Sequence, residues 1–357
     1  MDLLVLFIAL VVILIGAELF TNGIEWFGRS LNLAEGAVGS VLAAVGTALP
    51  ETLIPIIAIV FATGQASDEI GVGAILGAPF MLSTLAMFVT GVAILAFRRR
   101  RATGGELRID ASVLAHDMRY FAIAYGLAIG SAFLPIEPVW IRWIAAAALI
   151  GIYAWYVRGH LRADASEDEE ELAPLRFRRA DVRAYRTDPS VPRLRAINLQ
   201  VLVALGFIIV GAVFFVDAVE HLASSLGVSE VLLALVIAPV ATELPEKFNS
   251  IIWVRQNKDT LAMGNITGAM VFQSCIPTFV ALVFAADSWS IFDVRTGAVS
   301  TETLVTFASA GMAFVATALI FVPMMRHGTL HGRGLLVGGV LYLAYLALVG
   351  ASVMNLI

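Results

Sequence analysis

Two hexapeptides constrain this chain more than anything else in it: Gly46-Thr47-Ala48-Leu49-Pro50-Glu51 and Ala241-Thr242-Glu243-Leu244-Pro245-Glu246. The first sits in an apolar run over 37–60, the second in a run over 228–254. Each run is long enough to cross a bilayer as a helix, for which roughly 20 apolar residues suffice. A proline in such a helix has no N–H. Pro50 therefore frees the carbonyl of Gly46, and Pro245 frees that of Ala241. Glu51 and Glu246 add a carboxylate at the same depth. Intramembrane carboxylates are costly, and by default they mark an ion or proton pathway. A protonated acid bonding a neighbouring helix is the structural alternative. Two matching copies, each beside a proline, favour a cation site.

The rest of the composition agrees. Of 357 residues, 59% are hydrophobic and 14% charged, where a soluble domain carries about 25% charge. The chain reads as an all-α polytopic membrane protein whose surroundings are a lipid bilayer. The single cysteine, Cys275, excludes an internal disulfide, and five histidines without ligand spacing argue against a zinc site. Basic residues lie in connecting loops, so no nucleic-acid partner is expected. No nucleophile or histidine base accompanies the central carboxylates, so neither an enzyme nor a resident cofactor is expected. The start, Met1-Asp2 followed by apolar sequence, lacks a basic n-region and reads as a first membrane helix.

Ten spans are expected, near 3–25, 36–62, 69–97, 118–134, 138–157, 197–220, 228–254, 260–285, 302–324 and 333–355. Numbering the connections alternately puts Arg29, the run Arg98–Arg101, Arg108, Arg119, the nine arginines of the long loop and its flanks, Arg255, Lys258, Arg326 and Arg333 on one side. Only Arg142 and Arg295 fall on the other. The lopsided side is cytoplasmic by the positive-inside rule, which puts both termini outside and the loop 158–196 in the cytosol of an inner-membrane protein. That loop carries the acidic run 167–171, which lacks the alternating ligands and glycine of an EF-hand and reads as a solvated linker.

The two halves repeat. An offset of 195 lays Gly16–Glu51 over Gly211–Glu246 without a gap, matching Gly16/Gly211, Phe20/Phe215, Thr47/Thr242, Pro50/Pro245 and Glu51/Glu246 among others. Further on, 73–78 (Gly-Ala-Ile-Leu-Gly-Ala) aligns with 264–269 (Gly-Asn-Ile-Thr-Gly-Ala). Five spans per half is an odd number, so the second half enters from the opposite side. The expected division is a first repeat over 1–157, the loop 158–196, and an inverted second repeat over 197–357. Paired interrupted segments in inverted halves point to the midplane binding site of a secondary transporter.

At this level the sequence resembles the cation/Ca²⁺ antiporter superfamily, the sodium/calcium exchangers and their relatives, through its two interrupted motifs and the Gly-Asn-x-x-Gly element at 264–268. The resemblance covers nearly the whole chain. It implies exchange of Ca²⁺ for Na⁺, H⁺ or K⁺. It also implies that Thr47, Glu51, Thr242 and Glu246 are ion ligands, with Asn265 and Gln273 beside them. Other positions depart from the pattern. Ala48, Ala74, Ala78, Pro79 and Leu82 in the first half, and Ala269 and Met270 in the second, replace residues with side-chain oxygens.

Ca²⁺ takes about six to eight hard oxygens. Glu51, Glu243, Glu246, Thr47, Thr242, Gln273 and the carbonyls of Gly46 and Ala241 supply enough, with water, for one cation. Lys247 is a cation where the family has none. It follows Glu243 by four residues, so the two are expected to pair on one helix face, leaving Glu51 and Glu246 to the transported ion. Its ammonium would otherwise stand in for a bound Na⁺ or carry a coupled proton; a structural lysine is the alternative. Glu18, Asn22, Glu25, Asp217 and Glu220 either line an access path or face water. The leading reading is a Ca²⁺ antiporter driven by Na⁺ or H⁺. The competitors are a proton-coupled antiporter of another cation and a transport-inactive scaffold or sensor.

Overall fold

The computed structural model describes residues 2–30, 41, 44–61, 65–135, 137–161, 172–178, 192–226, 244–292 and 297–353. Helix α1 (Asp2–Ser30) opens the first half and α8 (Leu194–Leu226) the second. Between them run α2 (Ala44–Thr47), α3 (Leu49–Val60), α4 (Gln65–Met81), α5 (Met87–Phe97), α6 (Ala111–Ser131) and α7 (Trp140–Leu161). After α8 come α9 (Leu244–Arg255), α10 (Asp259–Phe284), α11 (Thr301–Ala316), α12 (Val322–His327), α13 (Gly332–Leu335) and α14 (Val337–Val353). Two π turns, Leu82–Ala86 and Thr317–Phe321, join α4 to α5 and α11 to α12 without breaking the helical path. Helical segments thus stand in all ten places the hydropathy expects. Among the described residues, seven helices are long and apolar enough to cross a membrane by themselves.

The antiparallel setting of the two halves is written in the crossing of α1 and α8. A Cβ on Gly16 would lie 2.8 Å from Ile208 and 3.0 Å from the carbonyl of Ala204; one on Gly211 would lie 2.7 Å from Ile13 and 3.1 Å from the carbonyl of Ala9. Gly23 meets Val201 at 2.8 Å. As residue number rises along α1, its partner's number falls along α8. Small residues let the two backbones approach, as they do between helices in lipid.

Among the described residues the largest boundary difference from the sequence expectation is at the fourth segment. The fourth segment begins at Ala111, seven residues before the expected 118, so Arg119 lies on a helix and not in a connection. Two causes act. Asp110 caps the helix, its carboxylate accepting the Ser112 amide at 2.8 Å. Asp117, which makes the stretch look polar, is buried against partners from other helices.

The arginine-rich end is knitted across the halves. The Arg101 guanidinium makes two 2.8 Å bonds to the Asp259 carboxylate and also donates to the carbonyls of Val254 and Glu106. The Arg108 amide donates to the same carboxylate at 2.8 Å. Beside it, strands β1 (Glu106–Arg108) and β2 (Thr329–His331) pair antiparallel, Leu107 opposite Leu330. At the opposite end the buried Arg142 donates to the carbonyls of Leu134, Pro135, Ala286 and Trp289, tying the connection before α7 to the one after α10. Carbonyl oxygens thus surround that guanidinium.

Helix α10 is the most enclosed span: 83% of its apolar window is buried, and the next highest is 61%. It packs on α2, α3, α4, α6, α7 and α9, so nearly all of its residues face protein, the exposed Phe284 at its end being the exception.

Candidate functional site

The first broken segment is interrupted at Ala48. Its amide donates to Ala44 at 3.0 Å, closing α2, and its carbonyl accepts the amide of Thr52 at 3.1 Å and the Thr52 hydroxyl at 2.7 Å, opening α3. Pro50 stands in the first turn of α3, where a missing N–H costs nothing. Glu51 follows in the same turn, at the positive end of the helix dipole. Glu51 is 4% exposed and both carboxylate oxygens are buried.

The second broken segment follows the same plan. Helix α9 is 12 residues long, as α3 is, and starts and ends 195 residues after it. Pro245 and Glu246 therefore occupy the backbone positions of Pro50 and Glu51. The side chains of Thr47 and Glu246 are outside what the structure describes, as are Ala241, Thr242 and Glu243 entirely. The expected Glu243–Lys247 pair accordingly lies outside the described residues. Lys247 itself is 5% exposed, so its ammonium is held within protein.

Both broken segments pack on α10, which carries the polar positions expected beside them. Asn265 and Gln273 are fully enclosed. They stand eight residues apart, about 12 Å along the helix axis, and so address different depths. Among the described residues the Gln273 amide has no hydrogen-bond partner for either its oxygen or its nitrogen. An enclosed amide left so is expensive unless something else uses it. The neighbouring Ser274 hydroxyl is spent on the Met270 carbonyl at 2.7 Å. In the first half, Ala74, Ala78 and Leu82 are buried without polar atoms, and Ser83 and Thr84 bond back to Phe80 at 3.0 and 2.6 Å. The donor set is therefore asymmetric between halves.

The acids of the first helices divide differently. Glu18 is exposed and paired with Arg176 at 2.7 Å; Asp217 is exposed beside His221 at 3.7 Å. Both face outward. Asn22 is buried: it donates to the carbonyl of Ala173 at 3.1 Å and accepts from the Arg176 amide at 3.1 Å and from Gln200 at 3.0 Å. It anchors part of the central loop to α1 and α8. The side chains of Glu25 and Glu220 are outside the described residues.

One polar cluster escaped the sequence reading. Asp117 on α6, 0% exposed, accepts from Tyr156 at 3.0 Å and from Thr267 at 2.5 Å, and meets His160 at 2.9 Å. Its only signal in the sequence was Tyr156 and His160 set one helical turn apart at the end of an apolar span.

Two oppositely set halves, each with a helix broken at Leu-Pro-Glu against one enclosed polar helix, define a multi-pass membrane protein of the secondary-transporter type. The pattern of the sodium/calcium exchanger protein family matches residues 1–160 and 198–354, and the chain belongs to that family. It is 23% identical over 268 residues to the putative antiporter CaxA of Alkalimonas amylolytica, covering 74% of this chain and 75% of the relative. It is 21% identical over 264 residues to an uncharacterized membrane protein of Methanocaldococcus jannaschii, covering 74% and 76%. Among solved structures, the H⁺/Ca²⁺ exchanger CAX superposes with a TM-score of 0.68 at 16% identity, over 97% of this chain and 81% of that one. The sodium-calcium exchanger NCX_Mj superposes with a TM-score of 0.60 at 17% identity, over 97% of both chains. These likenesses establish the fold.

Proposed function

We propose that the protein is a secondary active antiporter that carries Ca²⁺ in exchange for Na⁺ or H⁺. The observation that carries this reading is the Gln273 amide, enclosed and unpartnered among the described residues on the helix against which both Leu-Pro-Glu segments pack. Ca²⁺ is the substrate. Glu51 and Glu246 supply its charge neutralisation. Thr47, Thr242, Glu243 and Gln273 and the carbonyls of Gly46 and Ala241 supply further oxygens, with Asn265 serving a second depth of the pathway. The relatives named as H⁺/Ca²⁺ and sodium-calcium exchangers support the substrate class without choosing the driving ion. Lys247 adjusts the charge of the site, by pairing with Glu243 or in place of a driving cation.

Transport follows alternating access. The α1–α8 pair, held together at its glycine-lined crossing, slides or rocks against the segments carrying α2–α5, α9 and α10. The halves 1–157 and 197–357 act as the two inverted repeats. The loop 158–196 and the arginine-rich end lie in the cytosol, and both termini lie outside. Flux into proteoliposomes tests this. Ca²⁺ uptake driven by an outward Na⁺ gradient supports sodium coupling, and uptake that follows pH alone supports proton coupling.

A second reading rests on the alanine-lined first half: a proton-coupled antiporter of another cation, which needs fewer oxygens. Competition of other cations with Ca²⁺ uptake separates the two. Absence of flux for every cation from a folded protein leaves the scaffold reading.

A further inference from the structure

We propose that Asp117 and His160 form a proton-binding site at the arginine-rich end of the bundle, and that its occupancy sets the position of α10 through Thr267. Asp117 is the only residue whose side chain is bonded to α7 and α10 at once while itself standing on α6, among the described hydrogen bonds. One carboxylate oxygen takes Tyr156 at 3.0 Å and His160 Nε2 at 2.9 Å; the other takes the Thr267 hydroxyl at 2.5 Å. Side-chain exposure is 7% for His160 and 0% for Asp117. A small cavity lies against the carboxylate, lined by Asp110, Asp117, Thr260, Gly264 and Thr267 among others. Its outer rim, Asp110, is exposed, so water reaches toward the pair from that end.

The chemistry is a single proton transfer from hydronium in the solvent, which leaves water behind. The proton adds to the His160 ring nitrogen that does not face Asp117, and the imidazolium so formed is held by the enclosed carboxylate. Histidine is the side chain whose charge changes near neutral pH. Once the carboxylate is neutralised by the imidazolium, its hold on Thr267 weakens. That hydroxyl has a second acceptor ready, the Met263 carbonyl on its own helix at 3.0 Å. Switching from Asp117 to Met263 releases α10 from α6. The helix so released carries Asn265 and Gln273, two and six residues from Thr267.

The surrounding groups are accounted for. On α6, the His116 ring stands edge-on to His160 at 5.0 Å and also contacts Tyr120 and Tyr156. It opposes a second proton, as does Arg119, which is exposed. On α7, Tyr153 packs against Tyr156, and Arg158 is exposed. On α10, Cys275 is buried and Asp259 is engaged by Arg101. Helix α12, which also packs on α6, carries Arg326 and His327 in its last turn.

The transport arm of the test rests on the antiport reading; a second arm does not. In proteoliposomes at equal pH on both sides, isotopic Ca²⁺ self-exchange by the wild type changes by about tenfold across the range of about pH 5 to 8. Asp117→Asn and His160→Gln each flatten the profile to less than about twofold, while His116→Gln keeps it. His160→Gln retains an N–H for Asp117 and serves if Asp117→Asn fails to fold. Variants that keep the wild-type profile overturn the proposal. In detergent, the His160 ring resonance moves in one step with pH, and Asp117→Asn displaces that step. A signal that is static, or unchanged in the variant, overturns the proton site even in a protein that carries no Ca²⁺. Absent flux with a displaced step overturns the antiport reading alone.

Discussion

Gly16 and Gly211 meet each other's helix in the same way: each would press its missing Cβ onto an isoleucine and an alanine carbonyl, Ile208 and Ala204 for one, Ile13 and Ala9 for the other. The partners are themselves related by the 195-residue offset. The contact is thus a pseudo-two-fold contact within one chain. A bulky residue at either position has to push the helices apart, at about 1–3 kcal/mol for overpacking. Gly16→Leu and Gly211→Leu are expected to lower the thermal midpoint in detergent by similar amounts. A neutral variant on one side only contradicts the symmetric crossing.

The Arg101–Asp259 pair is enclosed, with side-chain exposures of 0% and 3%, and joins the first half to the first turn of α10. Asp259→Asn leaves a guanidinium without its counter-charge and is expected to cost about 3–5 kcal/mol. Replacing both, Arg101→Met with Asp259→Leu, is expected to cost much less, because no charge is stranded. Unfolding of the single and double variants in detergent checks the difference; equal losses contradict it.

Gln273→Met keeps the side-chain volume and removes an amide that has no partner among the described residues. Stability is expected to hold or rise by about 1 kcal/mol, since an unsatisfied group is removed. Cation transport is expected to fall at least about tenfold, the effect of about 1.4 kcal/mol in a lost ligand. A loss of stability with transport intact identifies Gln273 as a packing residue instead.

Asp110 lies outside the spanning part of α6, and its carboxyl is held below the ordinary range, first by the Ser112 hydroxyl and then by the Ser112 amide. A lowered folded-state value gives stability that is present above the unfolded value, about 3.9, and is lost as pH falls through the folded one. Asp110→Ala is expected to cost about 1 kcal/mol at pH near 7. The gap to the wild type narrows in acid. Melting curves at neutral and acid pH read it; a constant gap contradicts the cap.

The sequence exposed the broken segments because proline and glutamate in an apolar run are anomalies local to a few residues. The matching starts of α3 and α9 follow from Leu-Pro-Glu itself, since the first turn of a helix is where a proline's missing N–H costs nothing. Gly16 and Gly211 were legible as a repeat, but not as a contact, because nothing in either segment names its partner. Asp117 was illegible for the same reason. Its partners lie 39, 43 and 150 residues away, and alone it only made the start of α6 look like a loop. Arg101 was counted with its exposed neighbours as a topological charge; only the fold reveals that Asp259 and three carbonyls enclose it. The asymmetry between the alanine-lined first half and the second half was visible residue by residue, whereas the enclosure of Gln273 required the packing of α10.

The carboxylate that opens α3 is where the account is most exposed to refutation. The measurement is Ca²⁺ uptake into proteoliposomes against imposed Na⁺ and H⁺ gradients, with the wild type and Glu51→Gln compared at equal incorporation. The variant preserves side-chain shape and removes only the charge. The account predicts gradient-driven uptake by the wild type and its loss, by at least about a hundredfold, in Glu51→Gln. Uptake by Glu51→Gln at the wild-type rate would contradict a cation site built on the two Leu-Pro-Glu segments.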